Sequence, residues 1–442
     1  MASLPASPVE PLALAQALIR FDTTNPPGRE RAAIEHLAGV LRDAGVESTL
    51  LAADPERPNL VARIPGEGAA PPLLVHGHLD VVPADAARWA RDPFGGEVVA
   101  GELWGRGALD MKGGVAMLVA AVTRLVAAGE RPAGDVILLA MSDEEAGSSV
   151  GARFIVDEHA GILDGVRHAI GEGGGFTSWL GGQSFHPIAV SEKKRCLVRA
   201  VCRGAAGHAS FIARDPAMGR LGTLLSRLTA ERLPVRVTPP AEAMIRALAD
   251  GLQRSDVLGL LDAEAVDRVL HEAAGELDAL EPLLRDTVAP TIVHGGAVAN
   301  VHPTEITVML DGRLVPGQTV EDLLAELETV AGGVAEYEVV QEEPATLDGS
   351  QLDLLPLIED VLRDSDPGAV AVPALISGFT DARHFARLGI QNYGFLPMRL
   401  PADRGMQLMH APDERIPVSE LEFGAGCLHE LLRRYGRRQR VR

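Results

Sequence analysis

PPLLVHGHLD, residues 71–80, is an apolar run that ends in a His-x-Asp pair, His78 and Asp80. Two later apolar runs have the same form: SDEE follows Asp135–Met141, and GEGG follows Val166–Ile170. Short runs of this kind, rich in aliphatic and β-branched residues, predict buried strands. In open α/β sheets, ligands bind outside the carboxyl ends of the strands. The polar residues at these three positions are therefore expected to meet at one site.

Strands and helices alternate through the first part of the chain. Residues 8–45 predict two amphipathic helices interrupted by Asn25-Pro26-Pro27, and a further strand is predicted over Asn59–Ile64. Helices are predicted over Met111–Ala128 and Val150–Glu158. This alternation predicts an α/β fold, in which a mainly parallel sheet carries helices on both faces.

The pattern changes at residue 195. Residues 195–346 combine predicted strands with longer helical stretches, and residues 241–286 are rich in Ala, Leu, Asp and Glu at helical spacing. The last part of the chain returns to short strands and helices. We therefore predict two domains, one formed by residues 1–194 and 347–442 and the other an α+β domain inserted at residues 195–346.

The composition is that of an acidic protein. Its 442 residues are enough for two domains and a large core, and the formal net charge is −20. A polyanionic surface argues against nucleic acid and anionic membrane as partners. No apolar run approaches the roughly 18 residues of a membrane span. Three cysteines are too few for a disulfide framework, and residues 1–8 lack the features of a signal peptide, so we expect a cytoplasmic protein.

Five side chains are candidate ligands for a pair of divalent metal ions. They are two imidazoles and three carboxylates: His78, Asp110, Glu145, Glu172 and His410. Donors of these types suit zinc, and also cobalt or manganese. Asp110 follows a glycine-rich segment and is expected to bridge both ions. Two ions roughly 3.5–4 Å apart can activate a shared water and stabilise a tetrahedral oxyanion, so the sequence indicates a hydrolase.

Two further carboxylates have supporting roles in this interpretation. Asp80 is placed to hydrogen-bond the ring nitrogen of His78 that does not face the metal. Glu144 is the candidate general base, which takes a proton from the activated water and passes it to the leaving nitrogen. Each feature also has a simpler explanation: His-x-Asp occurs in ordinary turns, Asp110 can be a helix N-cap, and an acidic pair can be a solvated turn. The prediction rests on their combination at strand ends.

At these motifs the chain resembles the co-catalytic zinc exopeptidases and amidohydrolases. That family includes aminoacylase-1, glutamate carboxypeptidase, carnosine dipeptidase, acetylornithine deacetylase and succinyl-diaminopimelate desuccinylase. The resemblance covers nearly the whole chain and rests on the motifs HGHLDVVP, GRGALDMKGG, SDEE, GEGG, GHAS, ANVHP and MHAPDE. It implies the same five metal ligands, with the orienting role at Asp80 and the base role at Glu144.

The resemblance also implies features that the residues alone do not. The inserted domain is expected to act as a lid and to carry the contacts of a homodimer. His208, in GHAS, is expected to reach the partner's active site and stabilise the oxyanion. Asn300, Arg313 and Thr380 fall where family members bind substrate, often through its carboxylate, which a guanidinium can pair in a bidentate fork. Structural alternatives exist: a turn residue at His208, a strand-end cap at Asn300 and a solvated strand charge at Arg313.

Two departures from the family's pattern stand out. Phe379 lies in SGFTD, residues 377–381, where several relatives have a small residue. Its ring can reshape the pocket around Thr380 and weaken the case for that residue as a carboxylate contact. The helical stretch 241–286 resembles extra material in the lid, which can alter the dimer and hence the role of His208 across it.

The leading hypothesis is that metal-activated water hydrolyses the amide bond of a dipeptide or an N-acyl amino acid. An N-deacylase or desuccinylase of a biosynthetic amino acid is the nearest alternative, because the sequence leaves open peptide, acetyl, succinyl and carbamoyl amides. A non-catalytic metal-binding relative is a second alternative, against which the full set of ligands and Glu144 argue. Phosphoester cleavage is a third, disfavoured by the −20 charge and the absence of a Gly-x-x-x-x-Gly-Lys loop.

Overall fold

Residues 7–437 are described in the computed structural model of the chain, and they divide into two units. The first unit extends to Val190 and also contains Gly349–Ala374 and the chain from Thr380 onward. The second consists of Ser191–Asp348 together with Leu375–Phe379. Most of the N-terminal segment interpreted above, residues 1–8, lies outside the described residues.

Strands and helices are numbered in chain order. The strands are β1 (Ser48–Leu51), β2 (Asn59–Ile64), β3 (Leu73–His78), β4 (Glu97–Val99), β5 (Glu102–Trp104), β6 (Val136–Met141), β7 (His168–Gly171), β8 (Ser178–Leu180), β9 (Gln183–Glu192), β10 (Lys194–Arg203), β11 (Gly207–His208), β12 (Thr287–Gly295), β13 (Val301–His302), β14 (Glu305–Leu314), β15 (Glu336–Glu342), β16 (Ala371–Ile376), β17 (Gln391–Gly394) and β18 (Arg415–Pro417). The α-helices are α1 (Pro11–Ile19), α2 (Arg31–Asp43), α3 (Lys112–Ala127), α4 (Ala152–Glu158), α5 (Ala217–Ala230), α6 (Pro239–Leu252), α7 (Val266–Glu272), α8 (Val320–Ala331), α9 (Leu355–Ser365), α10 (Ala382–Phe385) and α11 (Val418–Arg434).

The first unit is built on a sheet with the strand order β1-β2-β6-β3-β7-β17-β9-β16, and β8 pairs with β9. Its centre is parallel, because β3 runs parallel to β6 and β7, and β7 runs parallel to β17. The β1–β2, β2–β6 and β9–β17 pairs are antiparallel. The predicted α/β fold with a mainly parallel central sheet is confirmed.

Burial explains why the central strands read as continuous apolar runs. Every residue of β3 and of β6 is buried, as expected for parallel strands covered on both faces. On one side lies α3, which packs against α1 and α11. Residues Lys112 to Thr123 of α3 are all buried, so this helix is enclosed around its whole circumference.

The second unit contains an antiparallel sheet with the order β12-β14-β10-β15. Burial alternates along β14, as in a sheet with one covered face, and α5 and α8 pack against it. The start of α8 is fixed by a capping box between Thr319 and Asp322. The predicted helical stretch 241–286 contains α6 and α7, with 3-10 turns at Ser255–Leu261 and Asp278–Leu283.

Several strands have no counterpart in the sequence prediction, namely β1, β4, β5, β8, β9, β11, β12, β13 and β18. The clearest case is β12, which contains Pro290 and is exposed along most of its length. Such a strand lacks the apolar periodicity that marks a half-buried strand. Among the described residues, no helix combines the length and the apolar character needed to cross a bilayer.

Candidate metal centre

Three of the adjacent strands deliver polar residues to the same edge of the central sheet. His78 is the last residue of β3, and Glu172 directly follows β7. Glu144 and Glu145 lie in a 3-10 turn, Glu144–Ala146, that follows β6. Because β6, β3 and β7 are parallel neighbours, their carboxyl ends meet. The order of the strands therefore explains why residues distant in sequence share one site.

Two loops complete the cluster. Asp110 lies two residues before α3, and His410 lies in the loop that leads to β18. The N-cap of α3 is Met111 rather than Asp110, so the alternative reading of Asp110 as a helix cap is wrong. The Asp110 side chain points instead to the two histidines of the cluster.

Five candidate ligands form two groups that share Asp110. In the first group, Nε2 of His78 lies 3.2 Å from Oδ1 of Asp110 and 3.4 Å from Oε2 of Glu172. In the second group, Nε2 of His410 lies 3.1 Å from Oδ2 of Asp110 and 3.3 Å from Oε1 of Glu145. The donor atoms within each group lie within 4.8 Å of one another. Asp110 thus turns one oxygen toward each group.

The electrostatics of the cluster fit a cation in each group. Burial raises the pKa of Glu172 to about 8, in spite of the nearby His78. Hydrogen bonds to Asp110 and Glu145 raise the pKa of His410 to about 10. The Oε1 atom of Glu145 is buried and makes no hydrogen bond, although His410 is close by. Buried carboxylates need compensating positive charge, and a set of imidazole nitrogens and carboxylate oxygens suits divalent transition metals.

Asp80 contacts both His78 and the turn that carries Glu144 and Glu145. The backbone oxygen of Asp80 lies 2.9 Å from Nδ1 of His78, and Oδ1 of its carboxylate is 3.5 Å from the same atom. A proton on Nδ1 leaves the lone pair of Nε2 free for the cluster. The carboxylate also accepts the backbone N–H groups of Glu144 and Glu145, each at 3.1 Å. Asp80 therefore orients both the first histidine and the acidic turn.

Further residues that the sequence did not single out support Asp80. Nδ2 of Asn25 donates to Asp80 at 2.9 Å and to Asp143 at 3.0 Å. Asp143 has a left-handed backbone with φ of 73° and pairs with Arg57 at 2.9 Å. Arg57 pairs in turn with the fully buried Glu30 at 2.7 Å. Of these residues, only Asp143 lies inside a motif recognised in the sequence, SDEE. The contacts of Asn25 and Arg57 depend on tertiary structure.

Glu144 and Glu145 are adjacent, yet their side chains have different neighbours. Glu145 approaches His410, whereas Oε1 of Glu144 lies 3.8 Å from Nη1 of Arg383. Burial and the negative charge of Glu172 raise the pKa of Glu144 well above the usual carboxylate value. The surroundings of Glu144 therefore favour its protonated form. A general base needs this property, because it keeps the proton between accepting it from water and donating it to the leaving group.

Thr380 belongs to the first unit, and the predicted substrate contacts Asn300 and Arg313 belong to the second, as does His208. The hydroxyl of Thr380 accepts the backbone N–H of Ala382 at 3.1 Å. His208 is exposed, and its Nδ1 lies 2.8 Å from Oγ of Ser210. The backbone oxygen of Asn300 accepts the N–H of Ala209 at 2.9 Å. The roles of these four residues in catalysis and binding remain predictions.

Arg313 is engaged within its own unit. Its Nε donates to Asp311 at 2.6 Å, and its guanidinium carbon lies 5.1 Å from the ring centre of Phe379. Arg195 lies on the same ring at 5.7 Å. The unusual aromatic residue noted in the sequence therefore packs against two guanidinium groups, which stabilises both by cation–π contact.

Comparison with known proteins adds independent findings. A model of the Peptidase family M20/M25/M40 matches residues 74–434, a range that includes all five candidate ligands. The chain is 29% identical over 450 residues to the succinyl-diaminopimelate desuccinylase of Methylobacterium sp. (strain 4-46), covering 98% of this chain and 97% of that protein.

Two solved structures share the fold. The M20 family metallo-carboxypeptidase Sso-CP2 of Sulfolobus solfataricus superimposes with a TM-score of 0.70 at 20% identity, covering 97% of this chain and 99% of that one. The dinuclear metal-binding M20 peptidase YXEP of Bacillus subtilis superimposes with a TM-score of 0.60 at 15% identity, covering 96% of each chain.

Asp80→Asn tests the support behind the cluster. The amide has one acceptor oxygen in place of two, so it cannot accept all three N–H groups that Asp80 accepts. We expect metal affinity to fall about 10- to 100-fold, measured by calorimetric titration of metal-free protein with Zn²⁺ or Co²⁺. Asp85→Asn is the matched control, because Asp85 accepts the N–H of Ala87 at an exposed turn. Equal affinities for the wild type and Asp80→Asn would contradict the role of Asp80.

Proposed function

The chain belongs to the Peptidase family M20/M25/M40, and we propose that it hydrolyses the amide bond of a dipeptide or an N-acyl amino acid at a centre of two divalent metal ions. The observation that carries this proposal is the position of Asp110, whose two oxygens face two separate groups of ligands. A carboxylate shared in this way matches the requirement for two ions a few ångströms apart. The dinuclear peptidase with the same fold supports the same conclusion.

In this proposal the ligands divide into two sets. His78 and Glu172 would hold one ion, Glu145 and His410 would hold the other, and Asp110 would contribute to both. When bound, the two ions polarise the scissile carbonyl and make a water molecule acidic enough to supply a nucleophile at neutral pH. Imidazole and carboxylate donors favour zinc, with cobalt and manganese as alternatives.

Glu144 moves the proton. Its carboxylate accepts a proton from the attacking water and later donates it to the nitrogen of the leaving amine, which cannot depart as an anion. The turn that carries Glu144 is fixed by two hydrogen bonds to Asp80, so the carboxylate is held at the edge of the ligand cluster. Arg383 supplies a positive charge 3.8 Å from Oε1 of Glu144.

The substrate class follows from the family and from one basic residue. The similar proteins include a succinyl-diaminopimelate desuccinylase and a metallo-carboxypeptidase. We assign Arg313 to the substrate carboxylate, with Asn300 and Thr380 as further contacts, because a guanidinium pairs with a carboxylate through two parallel hydrogen bonds. An N-deacylase or desuccinylase remains the alternative, favoured by the match to the desuccinylase over nearly its whole length.

The net charge of −20 supports a small-molecule substrate rather than nucleic acid or anionic membrane. Sparse cysteines, all three of them free and buried, support a cytoplasmic location.

We further propose a homodimer formed through the second unit, which we interpret as a lid and dimerisation domain at residues 195–346. The strand β12 is an edge of its sheet and is exposed along most of its length. Ile292 and Val293 in this strand are each half exposed, and Phe211 and Ile212 lie exposed in the loop after His208. An apolar edge strand with unpaired backbone groups is a surface that proteins cover, and a second copy offers a complementary edge.

Glu144→Gln tests the proposed chemistry. We expect about 10²- to 10⁴-fold lower kcat with both metal ions retained, because the base is lost while the ligands stay. The assay is a panel of dipeptides, N-acetyl amino acids and N-succinyl amino acids, with metal-free enzyme as a blank and a phosphoester to test the remaining alternative.

Glu145→Gln is the matched comparison, since it changes the neighbouring residue in the same turn. This variant should lose metal from the second group, measured as metal content per chain. Wild-type turnover in Glu144→Gln would remove Glu144 from the mechanism, and wild-type protein that binds fewer than two ions or hydrolyses none of the amides would refute the proposed function.

A mixture of two variants tests the role of His208 across the dimer. His208→Ala and Glu144→Gln should each be nearly inactive alone. After subunit exchange, each mixed dimer has one site with both residues intact, so activity should return to about a quarter of the wild-type sites, as two-fold symmetry requires.

The control is to add Ile292→Lys to both variants. A charge on the exposed strand β12 should prevent dimer formation between the variants, so activity should not return on mixing. The dimer itself is checked by light scattering. Mixed dimers that regain no activity would show that His208 acts within its own subunit or only in the structure.

A further inference from the structure

Asp110 and His410 are separated by 300 residues, yet both must be held in place for the second group of ligands to form. Neither residue lies in a strand or helix. His410 also has a left-handed backbone, with φ of 59°, which is uncommon and unfavourable for a residue other than glycine. A strained loop conformation of this kind persists only when surrounding contacts maintain it.

The contacts that join the two loops converge on one carboxylate, Glu414. Its Oε1 accepts the backbone N–H groups of Gly107 at 3.1 Å, Leu109 at 2.8 Å and Asp110 at 3.1 Å. Its Oε2 accepts Nη1 of Arg106 at 2.6 Å. The Glu414 side chain has no exposed surface, so the carboxylate is a buried anion with four donors.

Arg106 closes the connection on the other side. Its Nη2 donates to the backbone oxygen of His410 at 3.2 Å, and its guanidinium carbon lies 5.2 Å from the ring centre of Trp89. The Arg106 side chain is 2% exposed. A planar guanidinium can serve a carboxylate and a carbonyl at the same time, which the ammonium of lysine cannot do with the same geometry.

We propose that the Arg106–Glu414 ion pair is a positioning device for the second metal subsite, because it binds the backbone of Asp110 and the backbone of His410 in one buried network. The inference rests on the proposed two-metal function. His78 and Glu172 are held instead by β3 and β7, so the first subsite does not depend on this pair to the same degree.

The mechanism is local. Replacement of the Glu414 charge leaves the Arg106 guanidinium buried without its carboxylate, and such an uncompensated charge reorganises its surroundings. The Arg106 contact with the His410 carbonyl then weakens, and the left-handed conformation at His410 loses its support. The second subsite then loses the support of two of its ligands, Asp110 and His410, whereas the first subsite is affected only through Asp110.

Glu414→Gln tests this directly, with metal binding as the readout. Wild-type protein titrated with Co²⁺ is expected to take up two ions per chain, followed by calorimetry and by the visible absorption of the bound ion. We expect Glu414→Gln to bind the second ion about 10- to 100-fold more weakly, which is the usual effect of removing a supporting contact. The first ion should be weakened less, because only Asp110 links its subsite to Glu414. His410→Ala provides the reference for loss of the second subsite.

Glu420→Gln is the matched control. Glu420 is also a buried carboxylate of the first unit, and it accepts the backbone N–H of Arg399 at 2.7 Å and its guanidinium at 3.0 and 3.1 Å. Its loss should lower the melting temperature to a similar extent but leave both ions bound with wild-type affinity. Arg106→Lys, which keeps the charge but loses the fork, should weaken the second ion as Glu414→Gln does, and it carries the test if Glu414→Gln does not fold.

The outcomes separate the two proposals. Wild-type protein that binds fewer than two ions refutes the proposed function, and this inference with it. If the wild type binds two ions, and both Glu414→Gln and Arg106→Lys bind two ions with wild-type affinities, the inference is overturned while the proposed function stands. Equal weakening of metal binding by Glu414→Gln and Glu420→Gln also overturns it, because the effect would then be general destabilisation.

Discussion

Four carboxylates, two of them buried and two partly buried, meet the buried His78 and the half-exposed His410 at the carboxyl edge of the central sheet. This concentration of negative charge is the constraint on which the arrangement of the surrounding loops depends. Asp110, Glu144, Glu145 and Glu172 lie close enough to affect one another, so burial and mutual repulsion raise the pKa values of Glu144 and Glu172. Buried charges of like sign are stable only with cations among them or with many hydrogen-bond donors around them. The ligand groups supply places for cations, and the backbone N–H groups of the surrounding loops donate to anions beside the cluster.

Two buried carboxylates outside the candidate ligand set accept these donors. Asp80 accepts the backbone N–H groups of the acidic turn, and Glu414 accepts those of the loop that ends in Asp110. In each case an anion organises backbone amides, and the amides place the carboxylates that face the cluster. Each anchor is itself compensated, by the Asn25 amide for Asp80 and by the Arg106 guanidinium for Glu414. The site therefore consists of an inner set of ligands and an outer set of charges that hold the loops.

Local features could be predicted from the sequence. Features that depend on contacts between residues far apart in the chain could not. The apolar runs that become β3, β6 and β7 are continuous because both faces are buried, so their polar ends were visible as motifs. The same motifs identified the five side chains that the fold brings together.

The supporting residues could not be found in this way. Arg106 and Glu414 lie inside recognised motifs, but nothing in their spacing relates two residues 308 apart. Asn25 meets Asp80 only after the chain has folded, and β12 escaped notice because an exposed strand with a proline has no periodic signal. The assignment of Asp110 as a possible helix cap failed for a related reason, since the helix begins one residue later than a cap at Asp110 requires.

The position of Glu144, the proposed general base, shows how the outer charges also affect reactivity. Glu144 lies among acidic neighbours that disfavour its ionised form, while the positive charge of Arg383 lies 3.8 Å away. Arg383 does not move freely, because it donates to the backbone oxygen of Thr380 at 2.5 Å and to Ser148 at 3.2 Å, and Ser148 donates to the buried Asp381 at 2.5 Å. A base balanced between these opposing charges can accept a proton and release it within one reaction cycle, which a carboxylate held by a strong bidentate pair could not do. The 3.8 Å separation is thus consistent with catalysis, since a closer contact would stabilise the anion and weaken the base.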